Sequence, residues 1–236
     1  MKLGVSWTPW ALRVMKRLPG RRGPGGRRGR IRGFSAASRR RLRALMASLD
    51  YSGLGKSIFW VTLTARPSDN ERFFDFFKRL KRLFIKYWPL SGMIWRLEQQ
   101  KRGVVHFHLL LFAATSATAD WVVRQWLKYW AGDAERVAQK VKVVRSLAGI
   151  AAYISDMGKV DQEYCGVGHR HWGRVGKLPF YVPVTFYSVD AYFQIRRLLR
   201  RLAVARFRRR GRRVKLRRWF ATDFLEFKLE YLCALL

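Results

Sequence analysis

Hydrophobic residues along this chain follow two periods, one typical of strands and one typical of helices. Four segments are rich in β-branched and aromatic residues or alternate apolar with polar residues, which predicts strands. These segments are 58–64, 93–98, 104–112 and 139–145. After the first segment, apolar residues recur at helical spacing from Phe73 to Tyr87, with lysines and arginines on the other side. Ser68 and Glu71 form a capping box before them, so an amphipathic helix is predicted here.

The order of the predicted elements indicates the fold class. Further helices are expected at 120–130 and 147–158, so the elements follow β-α-β-β-α-β and then α. This is the ferredoxin-like, or split βαβ, plan. We therefore predict an α+β fold with an antiparallel sheet and helices over 58–158, flanked by a basic N-terminal arm and a basic C-terminal helical extension.

The flanking segments differ from this core in composition. Residues 19–33 are almost entirely Gly, Arg and Pro, which cannot build a core and predict a disordered arm. One short helix is expected within 1–20, another at 38–49 and a very basic helix at 189–210. The predicted division is a basic, partly disordered arm at 1–50, a central domain at 51–187 and a basic helical extension at 188–236.

The charge of the chain narrows the kinds of partner it can have. The 49 Lys and Arg residues face only 15 Asp and Glu, a net charge of +34. Such a surplus predicts a polyanionic partner, most simply nucleic acid, with a membrane surface as the rival polyanion. No apolar run reaches membrane-spanning length, and Cys165 and Cys233 have no metal-ligand spacing. We expect an intracellular, cytoplasmic protein without a membrane partner.

Two histidines lie inside the apolar segment 104–112. His106 and His108 are two residues apart, so both imidazoles leave the same face of a strand. A shared metal ion would partner both rings, whereas two hydrogen-bonded core histidines are the structural alternative. If an odd number of residues connects the second and third strands, Glu98 lies opposite Val104 and on the face of the histidines. Such a set could hold Mg²⁺, Mn²⁺ or a softer divalent ion, whereas an even number would leave Glu98 as a surface residue.

A tyrosine on the helix after the fourth strand is a candidate nucleophile. Tyr153 follows two alanines, at the edge of an apolar stripe that includes Ile150 and Ile154. A phenol can attack a phosphodiester once it has lost its proton, and its ordinary pKa of about 10 calls for a nearby cation. An amphipathic tyrosine at the edge of the core is the alternative.

These stretches resemble the HUH endonucleases, and most closely the rolling-circle replication initiators of small plasmids and single-stranded DNA phages. The first family motif, a strand ending in Thr-Leu-Thr, is similar to residues 61–64 (VTLT). The second, His-hydrophobic-His with apolar residues after it, is similar to 106–112, and Trp95-Arg96-Leu97-Glu98 resembles the stretch before it. The third motif carries the nucleophilic tyrosine, here Tyr153. Downstream, residues 168–174 resemble a Gly-x-x-Trp-Gly segment of these initiators.

The resemblance implies an activity and a site. His106, His108 and Glu98 would bind a divalent metal, Mg²⁺ or Mn²⁺. Tyr153 would attack single-stranded DNA at an origin, stay joined to the 5′ phosphate and release a 3′ hydroxyl for rolling-circle replication, and the strand would later be rejoined. The central domain would then be an HUH nicking domain. Single-stranded or supercoiled origin DNA, a host helicase and a host polymerase in a bacterial or archaeal cell are the implied partners.

The third motif departs from the family pattern. The family usually has Tyr-x-x-Lys, but Asp156 stands three residues after Tyr153, and Lys159 stands six after it. On a continuous helix Lys159 would be about 240° from Tyr153, so it can assist the tyrosine only if the helix ends near Gly158. Asp156 shares a face with Tyr153 and is the alternative, as an additional metal ligand.

Residues around the three motifs are expected to contact DNA. Threonine is also common in strands for its β-propensity, and a tryptophan here also suits packing beneath a loop. The expected DNA-binding residues are Thr62, Thr64, Arg66, Arg96, Arg170, Trp172, Arg174 and Lys177. An HUH single-strand transposase or a mobilisation relaxase is the nearest alternative function. A non-catalytic basic nucleic-acid-binding protein would explain the charge but not the arrangement of His106, His108 and Tyr153.

Overall fold

The computed structural model describes eight segments of the chain. They are residues 2–8, 11–17, 34–64, 70–99, 105–129, 139–146, 169–181 and 184–208. These residues form two compact units. One unit takes in the described residues within 1–27, 40–48 and 181–236, and the other takes in those within 28–39 and 49–180.

The described residues contain eight strands and four helices. In chain order these are β1 (Lys2–Thr8), β2 (Ala11–Arg17), α1 (Ala36–Met46), β3 (Phe59–Thr64), α2 (Asn70–Tyr87), β4 (Gly92–Gln99), β5 (Val105–Phe112), α3 (Ser116–Tyr129), β6 (Lys140–Val143), β7 (Trp172–Gly176), β8 (Val184–Phe186) and α4 (Val189–Arg208). The four predicted core strands and the two helices between them are present, with ends shifted by a few residues.

The larger unit is built on a five-stranded sheet with the order β6-β3-β5-β4-β7. Every neighbouring pair in this sheet is antiparallel. The first four strands have the order expected for a β-α-β-β-α-β chain in which each crossover skips one strand. The predicted α+β fold with an antiparallel sheet is therefore confirmed, and β7 extends the sheet at the β4 edge.

The sheet has one apolar face, which packs against α2 and α3 to form the core. Phe107 is central to this core. Its ring stacks on Phe77 at 3.6 Å and on Phe73 at 4.7 Å between centroids, and it meets the edges of Trp95 and Trp126. These aromatic contacts bury Phe107 completely and fix which face of β5 points into the core.

The smaller unit corrects the prediction for the N-terminus. The structure has no helix within residues 2–8 and 11–17; these form the antiparallel pair β1–β2, and β8 pairs with the other edge of β1. The sequence of β1 alternates Leu3, Val5 and Trp7 with small or polar residues. That period of two favours a strand, and Pro9 and Trp10 separate it from β2.

Several predictions fall on residues outside the described part of the chain. They include the arm at 19–33, the helix at 147–158 with Tyr153, and the segment after 208. The three-part domain division also stays a prediction. Within the part of the chain that the structure describes, no helix is both long enough and apolar enough to cross a membrane.

Candidate metal centre

The β4–β5 hairpin brings one acidic residue beside the two histidines. Glu98 pairs directly with His106, and the last pair before the connection is Gln99 with Val105. Residues 100–104 make this connection odd in length, as the prediction required. The register differs by two residues from the expected pairing of Glu98 with Val104, and a shift of two leaves Glu98 on the same face.

Phe107 explains why both imidazoles point away from the core. Because successive side chains of a strand point to opposite faces, burial of Phe107 against α2 turns His106 and His108 to the other side of the sheet. Their rings lie edge to face with centroids 4.4 Å apart. The apolar residue between the two histidines therefore sets the direction of both.

The three side chains form a compact donor set. Glu98 Oε2 lies 2.9 Å from His108 Nε2 and 3.8 Å from His106 Nε2. One ligand atom from each residue lies within 4.8 Å of the others. Two imidazole nitrogens and one carboxylate oxygen on one side of a site can hold a divalent cation and leave further positions for water or phosphate oxygens. The side chains thus fit the predicted metal.

The charges around Glu98 keep it ready to bind a cation. Hydrogen bonding with His106 and His108 and the positive charge of Arg96 hold the pKa of the Glu98 carboxyl far below its usual range. Burial lowers the pKa of His108 and outweighs the opposing effect of Glu98. A carboxylate beside a neutral imidazole is the protonation state that a metal requires.

Two residues of β3 hold His108 from the side opposite Glu98. Thr62 Oγ1 lies 3.2 Å from His108 Nδ1, and Trp60 Nε1 donates to the same oxygen at 3.1 Å. The Trp60 and His108 rings are also in contact, with centroids 5.3 Å apart. Thr62 was expected to contact DNA, but here its hydroxyl orients a candidate metal ligand, as partners of metal-binding histidines commonly do.

Arg96 occupies a buried position next to this donor set. Its side chain is only 1% exposed, with NH2 3.9 Å from Glu98 Oε2. The Phe34 ring lies 6.0 Å from the guanidinium and stacks on His171. The guanidinium therefore faces the carboxylate and two aromatic rings, and a direct contact between Arg96 and DNA stays a prediction.

Thr64 lies opposite His106 at the end of β3. Its backbone is held by Gln139, whose side chain accepts from Thr64 N at 2.8 Å and donates to Thr64 O at 3.1 Å. Trp126 Nε1 donates to the same carbonyl at 3.1 Å. These bonds fix the end of β3 beside His106, and contact between Thr64 and DNA stays a prediction.

The same face of the sheet carries cations on both flanks of the donor set. On one side, Lys140 and Lys142 of β6 pair with Thr62 and Trp60. Both lysines are at least partly outside the core because β6 is an edge strand. The prediction of DNA-binding residues missed them, although their spacing of two within a predicted strand was a usable signal.

On the other flank, β7 presents two of the expected DNA-binding residues. Trp172 pairs with Arg96, and Arg174 pairs with Ile94, so both belong to the metal face. Trp172 is half-buried and its Nε1 donates to Ser38 Oγ at 2.8 Å, which is a packing role. Arg174 is exposed, with its guanidinium 5.1 Å from the centre of the Phe180 ring.

The remaining predicted residues are placed differently. Arg170 is exposed but lines a cavity next to α2, and Lys177 is exposed just after β7. Four predicted residues lie outside the described part of the chain: Arg66, Tyr153, Asp156 and Lys159. The structure therefore brings together Glu98, His106 and His108, and the position of the proposed nucleophile relative to them stays a prediction.

Comparisons with known proteins agree with this site. Residues 58–157 match the ORF2 family of phage-type replication-associated proteins. The chain is 27% identical over 216 residues to a replication-associated protein of Pseudomonas phage Pf3, covering 82% of this chain and 76% of that protein. It is 26% identical over 217 residues to a putative replication protein of Xylella fastidiosa (strain Temecula1 / ATCC 700964), covering 80% and 81% respectively. No solved structure matches the chain.

Proposed function

From its relationship to the ORF2 family of replication-associated proteins over residues 58–157, we propose that this protein is a replication initiator that nicks single-stranded DNA at an origin. The nick would leave Tyr153 joined to a 5′ phosphate and free a 3′ hydroxyl for rolling-circle synthesis. The family relationship supports a role in replication. The donor set of Glu98, His106 and His108 is the single observation that supports nuclease chemistry.

Each described residue has a specific part in this proposal. His106, His108 and Glu98 would hold Mg²⁺ or Mn²⁺ on the polar face of the sheet. A divalent ion bound there would polarise a phosphodiester and offset the charge that develops on its oxygens. Thr62 and Trp60 fix the orientation of His108, and Arg96 holds Glu98 as a carboxylate. The cations of β6 and β7 would attract the DNA backbone on either side.

The proposed chemistry is a transfer of one phosphodiester bond. Tyr153 Oη would lose its proton and form a bond to phosphorus, while the bond from phosphorus to the 3′ oxygen breaks. The 3′ oxygen leaves and takes up a proton. Because the bond energy is kept in the phosphotyrosine, a later 3′ hydroxyl can reverse the step and rejoin the strand. Origin DNA is then the substrate, and a host helicase and polymerase would act on the exposed strand and the free 3′ end.

The decisive experiment looks for the covalent protein–DNA adduct. Wild-type protein, Tyr153→Phe and His108→Ala are mixed with labelled single-stranded DNA and Mn²⁺, and each mixture is run on a denaturing gel with and without chelator. We expect an adduct in wild type that disappears with chelator and in both variants. Tyr87→Phe, an exposed tyrosine on α2, is the matched control and should form the adduct normally.

Two results would contradict the proposal. An adduct in Tyr153→Phe would move the nucleophile elsewhere, with Tyr164 as the next candidate. Absence of any adduct across several DNA sequences and metals would instead favour a basic nucleic-acid-binding protein without catalysis. In that case His106 and His108 would be hydrogen-bonded histidines of the sheet.

A further inference from the structure

A cavity lies in the larger unit on the face of the sheet that carries α2, opposite the candidate metal centre. It measures about 230 Å³, and its floor consists of Phe74, Phe77, Trp95 and Phe107. Trp95 and Phe107 belong to the core face of β4 and β5, whereas Glu98, His106 and His108 belong to the other face. The cavity is therefore separate from the metal centre. It is also smaller than a typical site for a drug-sized ligand, so it suits a single small group.

The rim of this cavity is strongly cationic. Lys78, Lys81, Arg170 and His169 line it above the aromatic floor. Lys78 is paired with Asp75 at 2.7 Å. Among the ion pairs of the described residues, none joins Lys81 or Arg170 to a carboxylate. The rim thus offers at least two cations for a ligand that brings negative charge.

Lys81 is held in place over the aromatic floor. Its Nζ lies 4.8 Å from the Trp95 ring centre and 5.0 Å from the Phe77 ring centre. Burial lowers the pKa of Lys81, and the charges of Arg170 and Lys78 lower it further. A bound anion would relieve this repulsion among like charges. Aromatic rings below and cations above are the two features that bind a nucleotide, through its base or sugar and its phosphate.

The position of β7 connects this cavity with the metal face. β7 is the edge strand next to β4, and the residues before it line the cavity with His169 and Arg170. Two residues further on, Trp172 and then Arg174 lie on the metal face. One short segment of the chain therefore presents DNA-binding side chains to both faces of the same sheet edge.

We propose that the Lys81 cavity is a second DNA site, which takes one nucleotide of the bound strand as that strand passes around the β7 edge. Its phosphate would bind Lys81 and Arg170, and its sugar and base would lie over Phe74 and Trp95. The proposal rests on the proposed function for the identity of the ligand as single-stranded DNA. It adds a contact on the face opposite the chemistry, where DNA can be held without touching the metal ligands.

The first test compares two lysines of the same helix. Lys81→Met removes the charge but keeps an unbranched chain over the rings, and Lys86→Met removes an exposed charge next to Tyr87. Binding of single-stranded DNA is measured by fluorescence anisotropy across a range of salt concentrations. Loss of one phosphate contact should lower the slope of log affinity against log salt by about 0.7 in Lys81→Met. Lys86→Met should keep the wild-type slope, and equal slopes in the two variants would overturn the proposal.

The second test reads the cavity directly in the intact chain. Lysines are acetylated in the presence of single-stranded DNA, a deoxynucleoside monophosphate or inorganic phosphate, and the modified sites are found by mass spectrometry. We expect DNA and the mononucleotide to protect Lys81 more than Lys86. Protection by inorganic phosphate equal to that by the mononucleotide would show a plain anion site and refute the nucleotide assignment. No protection of Lys81 by any of the three would refute the site.

The two proposals fail in different ways. His108→Ala should lose the covalent adduct but keep the DNA protection of Lys81. Lys81→Met should keep its metal affinity and still form the adduct with an oligonucleotide too short to reach around β7. Adduct formation without protection of Lys81 would refute the second site alone. Protection of Lys81 without an adduct in wild type would refute the nicking function and leave the DNA site standing.

Discussion

The hydroxyl of Thr62 should control the affinity of the metal centre without being a ligand. Thr62 Oγ1 lies 3.2 Å from His108 Nδ1 and also accepts the Trp60 Nε1 proton. When His108 Nε2 binds a metal, its proton must be on Nδ1, and the threonine oxygen can accept it. Without metal, Nε2 lies 2.9 Å from the Glu98 carboxylate, and the hydroxyl can instead donate to Nδ1. A hydroxyl serves both states, whereas a methyl group serves neither.

The size of the effect follows from what Thr62→Val removes. Valine keeps the shape and β-branching of threonine but leaves His108 Nδ1 and Trp60 Nε1 without this partner. Loss of such a supporting hydrogen bond lowers metal affinity about 10- to 100-fold, or about 1.4–2.7 kcal/mol. The buried donors that lose their partner should also lower the free energy of unfolding by about 1–3 kcal/mol. Thr62→Ser keeps the hydroxyl and should stay within a few-fold of wild type in metal affinity.

The assay is a Mn²⁺ titration of each variant without DNA, followed by calorimetry or by the electron paramagnetic resonance signal of the free ion. Trp60→Phe keeps a ring against His108 but removes the N–H that orients the hydroxyl, so it should fall between Thr62→Ser and Thr62→Val. DNA affinity is measured separately in the presence of chelator, because Thr62 was also expected to contact DNA. Metal affinity in Thr62→Val equal to that of wild type would refute the reasoning. A loss confined to DNA binding would return Thr62 to a DNA-contacting role.

Three further predictions concern other residues of the larger unit. Glu98→Gln should abolish measurable Mn²⁺ binding, since it removes the only carboxylate of the described donor set; calorimetry checks this. Gly173→Ala should lower the free energy of unfolding by about 1–3 kcal/mol in thermal or urea melts, because a Cβ there would meet Trp95 atoms 2.7–2.9 Å away. Burial raises the pKa of Tyr51, so the phenol stabilises the fold fully below about pH 10 and this stability is lost as pH rises above that value. Tyr51→Phe should therefore remove about 1.4 kcal/mol per pH unit of the alkaline loss seen in urea melts.

Each of these variants has a control. Asp75→Asn removes an exposed acid far from the donor set in sequence and should bind Mn²⁺ as wild type does. Trp95→Phe should recover part of the stability lost in Gly173→Ala, since the smaller ring leaves room for the methyl group; a purely additive loss would point to another cause. Tyr87→Phe, at an exposed site, should not change the alkaline loss. An alkaline profile of Tyr51→Phe identical to that of wild type would contradict the role given to burial.

Local patterns in the sequence were sufficient to predict the central sheet. Strand 104–112 could be placed to within a residue because its apolar run is long, and Thr62 and Thr64 fall on the face of the histidines because the period of a strand is two. The N-terminal strands were missed because Arg13 and Pro9 suggested an interrupted helix, while the alternation of Leu3, Val5 and Trp7 was the stronger signal. Short segments of this kind are decided by pairing with β8, which lies far away in the sequence.

The site was predictable as far as strand geometry reaches and no further. Glu98 could be assigned to the histidine face from the parity of the connection, but its pairing with His106 rather than Val104 depends on the turn itself. The burial of Arg96 under Phe34 joins residues more than sixty positions apart, and no periodic pattern predicts such a contact. The same holds for the Lys81 cavity, where Arg170 meets a helix that begins a hundred residues earlier.

The three-residue pattern Thr-Leu-Thr on β3 can now be given a physical reason. Leu63 is completely buried in the core, so Thr62 and Thr64 must both face the other side, opposite His108 and His106. The neighbouring strand repeats this arrangement with Phe107 between the two histidines. Each strand thus uses one buried apolar residue to fix two polar ones, and a register shift of a single residue would turn all four away from Glu98. Precise placement of the donor set therefore depends on the packing of Leu63 and Phe107 in the core, on the face of the sheet that the metal and the DNA at the proposed nick would not touch.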